Sequence, residues 1–142
     1  MLKNIPPILS PELLKIMREM GHGDTIVLVD ANYPATTGAK RLVRLDGVEM
    51  TDLLDAMLQF LPIDAFVANP IAVMQPDDKS IKPPIWQEFL KVISKRDDEK
   101  AFTEFDYIDR MDFYGYAKEA YALVQTGTTA HYANIGIKKG VL

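Results

Sequence analysis

Few side chains in this sequence can move a proton near neutral pH, and one is unusually placed. His22 sits between two glycines in Met20-Gly-His-Gly-Asp24, directly ahead of the apolar run Thr25-Ile-Val-Leu-Val29, which ends at Asp30. A neutral imidazole accepts a proton and an imidazolium donates one, so His22 could serve as acid or base, or simply hydrogen-bond the backbone of its turn. Asp30 stands where the apolar run should emerge as the C-terminal end of a buried strand, a place where open α/β sheets often bind ligands. It could orient His22, bind a hydroxyl, or accept backbone amides of the following turn. Asp24 reads as a structural turn residue.

Other candidates lie far apart in the chain. Asp64 follows Pro62-Ile63 at an element boundary and could face a pocket or end a loop. Arg110-Met-Asp-Phe-Tyr114 combines a guanidinium donor with a phenol, both suited to sugar hydroxyls. Tyr116 and Tyr121 read as packing residues, because aromatic stripes more often fill cores than do chemistry. In Tyr132-Ala133-Asn134 the period-two geometry of a strand would put the phenol and the carboxamide on one face, for a ligand or for an ordinary strand edge. His131 would then point the other way and read as peripheral.

Composition narrows the chemistry. There are no cysteines, hence no disulfide, thiolate nucleophile or thiolate metal site, and the two histidines lack metal-binding spacing. With no glycine-rich phosphate loop or serine nucleophile elbow either, neither cofactor nor metal is expected. A net charge of -4 gives no electrostatic reason to expect nucleic acid or anionic membrane, and small neutral ligands are not disfavoured. No apolar run approaches the roughly 20 residues that span a bilayer, and a cytoplasmic location is the expectation.

These groups need a scaffold, and 142 residues suffice for a single domain over 1–142. Ser10-Pro11 predicts a helix start, with Leu13, Leu14, Met17 and Met20 at helical spacing and Gly21 as a left-handed cap. Strands are predicted at Thr25–Val29, Lys40–Leu45, Ala65–Val67, Ile71–Met74, Phe102–Ile108 and Tyr121–Val124, and last around Ile135 and Ile137. Loops are expected over 32–38 and 75–84. Helices are predicted from Thr51 toward Leu61, from Ile85 past Ile93 with a charged connector over 95–100, and from an Asp112 cap to about Ala120. Interspersed helices and strands without repeats indicate an α/β fold, taken as three layers, helix–sheet–helix, around a mixed sheet.

The pieces Leu9-Ser-Pro-Glu-Leu-Leu14, Met20-Gly-His-Gly-Asp24, Asp30 with Asn32-Tyr33-Pro34, Leu61-Pro-Ile-Asp64, Arg110 with Phe113-Tyr114, and Tyr132-Ala-Asn134 before Lys138-Lys-Gly-Val141 follow one another in a specific order. In this, nearly the whole chain resembles the RbsD/FucU family of sugar mutarotases, and within it the fucose-type branch. The resemblance implies an isomerase that interconverts the α and β anomers of L-fucose without a cofactor. It assigns proton transfer to His22 and Tyr114, and sugar binding to Asp30, Asp64, Arg110, Tyr132 and Asn134. It also implies a homo-oligomer, often a decamer of stacked pentamers, with sites near subunit contacts. Ala133 stands where many bacterial fucose-type members have glycine, as in ribose-type relatives. The alternatives are a D-ribose pyranase, a mutarotase for another monosaccharide, or a non-catalytic sugar-binding accessory protein.

Overall fold

The computed structural model describes all 142 residues. Ser10 closes the N-terminus of α1 (Pro11–Glu19), its hydroxyl accepting the Leu13 N–H at 3.2 Å, with Pro11 in the first helical position. Leu13, Ile16 and Met17 turn inward. The helix does not end in a left-handed Gly21. Met20 is the cap residue with φ -56°, the positive φ falls on Gly23, and Lys139 Nζ donates to the carbonyls of Met17 and Met20 at 2.9 and 2.6 Å.

β1 (Thr25–Val29) leads into a single turn, α2 (Ala35–Gly38), where the sequence reads as loop, and then into β2 (Leu42–Leu45). α3 (Met50–Leu58) starts one residue before Thr51 and ends before Leu61. The Thr128 hydroxyl, 78 residues away, takes the cap role expected of Thr51 by accepting the Met50 N–H at 2.7 Å. Residues 65–67 form no strand, and Phe66 stands 75% exposed.

After β3 (Ile71–Gln75), α4 (Ile85–Arg96) extends over Lys95 and Arg96, which read as connector. Both of those side chains bind Asp55 on α3, Arg96 Nε at 2.7 Å. β4 (Asp106–Asp109) is shorter than predicted, because Phe105 is buried in the core outside the ladder. α5 (Arg110–Glu119) follows at once, with Asp109 rather than Asp112 at the cap position. β5 (Ala122–Thr126) and β6 (Ile135–Lys138) complete the chain.

The six strands form one mixed sheet in the order β2-β5-β1-β6-β3-β4. β5 is parallel to β1 and β2, β3 is parallel to β4, and β6 runs antiparallel between β1 and β3. Alternation along β1 sends Ile26 and Leu28 to one face and Val27 and Val29 to the other. α1, α3 and α4 cover the first face in a core of 30 buried residues. α2 and α5 cover the second in a smaller core of nine. The fold is the three-layer mixed α/β arrangement anticipated from the sequence. Tyr116 lies against Gly136 of β6, where a β-carbon would collide with its ring, and Tyr121 stacks under the Arg41 guanidinium at 3.9 Å, so both pack as expected. No helix is long and apolar enough to cross a membrane.

Candidate active site

The C-terminal end of β6 clips two distant loops to itself. On one side Gly23 N–H donates to the Lys139 carbonyl and Lys139 N–H to the Asp24 carbonyl, each at 2.8 Å. The Asp24 carboxylate accepts the Gly21 N–H at 2.8 Å, the structural role expected of it, and Gly23 supplies a φ of 86° that favours glycine. On the other side Asp64 N–H donates to the Lys138 carbonyl at 3.0 Å and Gly140 N–H to the Pro62 carbonyl at 2.8 Å. The approach is so close that a β-carbon on Gly140 would lie 2.6 Å from the Ile63 carbonyl oxygen. As a result His22 Nε2 meets Asp64 Oδ1 at 3.0 Å, across 42 residues of sequence.

The pair is asymmetric: the Asp64 side chain is 3% exposed and that of His22 44%. Burial pushes the Asp64 carboxyl upward, but the Phe66 N–H on the same oxygen at 3.0 Å, His22 and the Lys138 charge outweigh it and hold Asp64 below the ordinary carboxylate range. An ionised carboxylate only accepts, so this partner assigns the hydrogen to His22 Nε2 and leaves Nδ1 as the nitrogen free to work. The Phe66 ring lies 5.4 Å from the imidazole.

A second constellation occupies the opposite end of the sheet, where β1 ends at Asp30. The Asp30 N–H donates to Asn134 Oδ1 at 2.9 Å, and its carbonyl accepts from Gln125 Nε2 and from the Tyr33 N–H. Asp30 Oδ1 accepts the Asn32 N–H at 2.9 Å, while Oδ2 has no partner within the chain. The turn-carboxylate and ligand-binding readings of Asp30 are therefore compatible, one oxygen for each. Beside it lies a cavity of about 200 Å³, lined also by Asn32, Tyr33, Met74, Tyr114, His131, Tyr132 and Asn134.

Tyr114 stands one helical turn beyond Arg110 on α5, so the two share a face. Arg110 Nε bonds Asp77 at 3.1 Å, and Asp77 first and then Tyr114 favour its charged form. Tyr132 and Asn134 do reach one pocket, but not through strand alternation. Tyr132 lies in a turn with φ 57°, a strained setting for a tyrosine, and the same turn brings His131 to the cavity instead of leaving it peripheral. Asn134 is 2% exposed and holds Asp30 through its oxygen.

The seven candidates thus divide into two groups within one chain. His22 and Asp64 lie before β1, and Asp30, Arg110, Tyr114, Tyr132 and Asn134 lie beyond its far end. Five extended residues span about 17 Å. Asp30 does not orient His22; Asp64 does. Sequence reasoning also passed over Gln125, Thr126 and Thr128, whose side chains pin the Asp30 carbonyl, the Val29 carbonyl and the start of α3. Their signal was a polar run directly after the apolar segment Ala122–Val124, at a strand end beside that of β1.

A mixed sheet with helices on both faces carries an imidazole–carboxylate pair at one end and a small polar pocket rimmed by tyrosines at the other, groups chemically suited to proton transfer on a small polar ligand. The chain belongs to the RbsD / FucU transport protein family, whose model matches residues 3–142. It is 42% identical to the fucose mutarotase of Homo sapiens, covering 99% of this chain and 94% of that protein. It is 44% identical to the L-fucose mutarotase of Haemophilus influenzae (strain PittGG), with 99% and 97% covered. The fucose mutarotase of Streptococcus pneumoniae, solved in complex with L-fucose, superposes with a TM-score of 0.91 at 46% identity over 99% of both chains. Bacillus subtilis RbsD, complexed with D-ribose, shares the fold at a TM-score of 0.72 and 22% identity, covering 100% of this chain and 99% of that one.

Proposed function

We propose that the protein is an L-fucose mutarotase, an isomerase that interconverts the α and β anomers of its sugar. The observation that carries this reading is the full-length likeness, in sequence and fold, to a fucose mutarotase solved with L-fucose. In the reaction a base takes the proton of the anomeric hydroxyl while an acid protonates the ring oxygen, and the bond from C1 to the ring oxygen breaks. The open-chain aldehyde turns about C1–C2 and recloses on its other face. Protons are only relayed, so the chemistry needs no net donor or acceptor.

In this reading His22, through Nδ1, and Tyr114 share the two proton transfers, with Asp64 fixing the imidazole tautomer and Arg110 steadying the phenol. Asp30 Oδ2 takes a sugar hydroxyl, Tyr132 closes the pocket, and Asn134 positions Asp30. Groups about 17 Å apart in one chain cannot share a sugar ring, so the working form is a homo-oligomer in which His22 and Asp64 of one copy complete the Asp30 pocket of a neighbour. Phe66 and Val67, exposed beside His22, suit such a contact. A decamer of stacked pentamers is the assembly the family resemblance suggests, checked by native mass spectrometry, and the cytoplasmic location expected from the sequence is checked by cell fractionation.

The test is NMR exchange spectroscopy on equilibrated L-fucose. Wild type accelerates anomer exchange, while His22→Ala and Tyr114→Phe each lose at least about 100-fold. Unfolding and reassembling the two inactive variants together restores about one quarter of wild-type activity, because a random mixture forms that fraction of intact sites between neighbours. No recovery in verified mixed oligomers would refute the shared site, and faster exchange on D-ribose than on L-fucose would overturn the sugar assignment.

A further inference from the structure

Tyr33 forms part of the pocket wall. The residue is 8% exposed, packed with Ala35, Phe113 and Leu123 in the smaller core, and its ring lies 5.4 Å from that of Tyr114 at 31°. The backbone holds it on both sides: Tyr33 N–H donates to the Asp30 carbonyl at 3.1 Å, and its own carbonyl accepts the Ala35 N–H at 2.8 Å. Its hydroxyl pairs with no group of the chain and is not sealed from solvent: it opens on the same cavity as Asp30 and Tyr114. Burial first, then Tyr114 and Asp30, push its pKa up to about 12, so near neutrality the phenol keeps its proton and remains a donor.

We infer that the Tyr33 hydroxyl donates a hydrogen bond to a ring hydroxyl of the bound monosaccharide, next to the acceptor Asp30 Oδ2, and so selects the sugar by its hydroxyl pattern. The inference rests on the sugar-pocket reading above and deepens it. A sugar hydroxyl has one hydrogen to give and lone pairs to fill. An ionised carboxylate can only accept and a neutral phenol can donate, so together they satisfy a hydroxyl that either alone would leave half-paired. A site with such groups rejects an analogue lacking the hydroxyl, because its own buried polar atoms are then left without partners.

The experiment compares wild type with Tyr33→Phe, which keeps the ring and its packing and removes only the donor. Binding of L-fucose and of its 2-, 3- and 4-deoxy derivatives is measured by calorimetry, and anomer exchange by NMR. Tyr33→Phe weakens L-fucose binding about five- to tenfold, the effect of one neutral hydrogen bond, and the change falls on KM rather than kcat. One deoxy sugar, lacking the hydroxyl that Tyr33 meets, binds the two proteins alike, a difference that loss of packing would not produce. Equal L-fucose affinity in the two proteins overturns the inference, as does a loss of the same size for every deoxy sugar. Wild type that neither binds nor interconverts L-fucose overturns the underlying reading, and the role of Tyr33 with it.

Discussion

Replacing Gly140 with alanine tests how the His22–Asp64 pair is held. The new β-carbon would lie 2.6 Å from the Ile63 carbonyl oxygen and 2.9 Å from both the Ile63 carbonyl carbon and the Asp64 α-carbon. All three are backbone atoms, so no rotamer change relieves the clash. The oxygen must retreat by at least about 0.4 Å, from 2.6 to 3.0 Å, to reach the shortest contact that real β-carbons make. That retreat strains the bonds from Gly140 N–H to Pro62 and from Asp64 N–H to Lys138, at 2.8 and 3.0 Å, which bind the loop to the strand end. Over-packing costs about 1–3 kcal/mol and each loosened hydrogen bond roughly 1 kcal/mol, while removing a glycine from the unfolded chain returns about 0.4–1 kcal/mol. The net expectation is a loss of about 2–4 kcal/mol, or roughly 6–16 °C in melting temperature for a chain of this size. Urea unfolding at a fixed protein concentration measures it. Gly115→Ala in α5, where an added β-carbon meets nothing within 4 Å, is the control and gains about 0.5–1 kcal/mol. The same displacement moves Asp64 from His22, and a misplacement approaching 1 Å lowers turnover by up to about 100-fold. A Gly140→Ala protein within about 0.5 kcal/mol of wild type would refute the argument, because the clash would then have been absorbed without cost.

Two further substitutions probe the buried polar groups. Thr128→Val removes the hydroxyl that accepts the Met50 N–H and donates to Glu49 Oε2 at 2.8 Å, and costs about 1–2 kcal/mol in urea unfolding, with Thr128→Ser restoring most of it. Equal stability of the valine and serine variants would contradict the capping role. Asp64→Asn tests the pH linkage: a carboxyl whose folded pKa lies below its unfolded value of about 3.9 stabilises the fold fully above that value and loses the contribution as pH falls through the folded pKa. The stability gap between wild type and Asp64→Asn therefore closes as the pH falls below about 4, and a gap unchanged to pH 2 would rule out an ionised Asp64 as its source.

Much of the chain is legible in sequence because the deciding interactions are local. Ser10 caps the helix three residues ahead of the amide it accepts, Asp24 closes its own turn, and Thr25–Val29 is apolar on both faces because helices cover both. The alternation that separates Ile26 and Leu28 from Val27 and Val29 is likewise local. At two helix ends a distant residue had taken the local role, and elsewhere the local backbone differed. Thr128 caps α3 in place of Thr51, Lys139 caps α1 in place of Gly21, and a turn with positive φ aims Tyr132 where alternation was expected to.

The site itself depends on distances that sequence spacing misrepresents. His22 and Asp30 are eight positions apart and invite pairing, yet the segment between them is largely extended, and each such residue adds about 3.3 Å. Asp64, 42 positions from His22, is its partner because β6 runs antiparallel beside β1 and its far end clips both loops. The sequence by itself determined which residue types were present, most of the segments that became helix or strand, and that Asp30 would stand at a strand end. Only the tertiary structure decided that His22 and the Asp30 pocket lie at opposite ends of the sheet, because strand order and direction follow from burying both faces of the sheet at once.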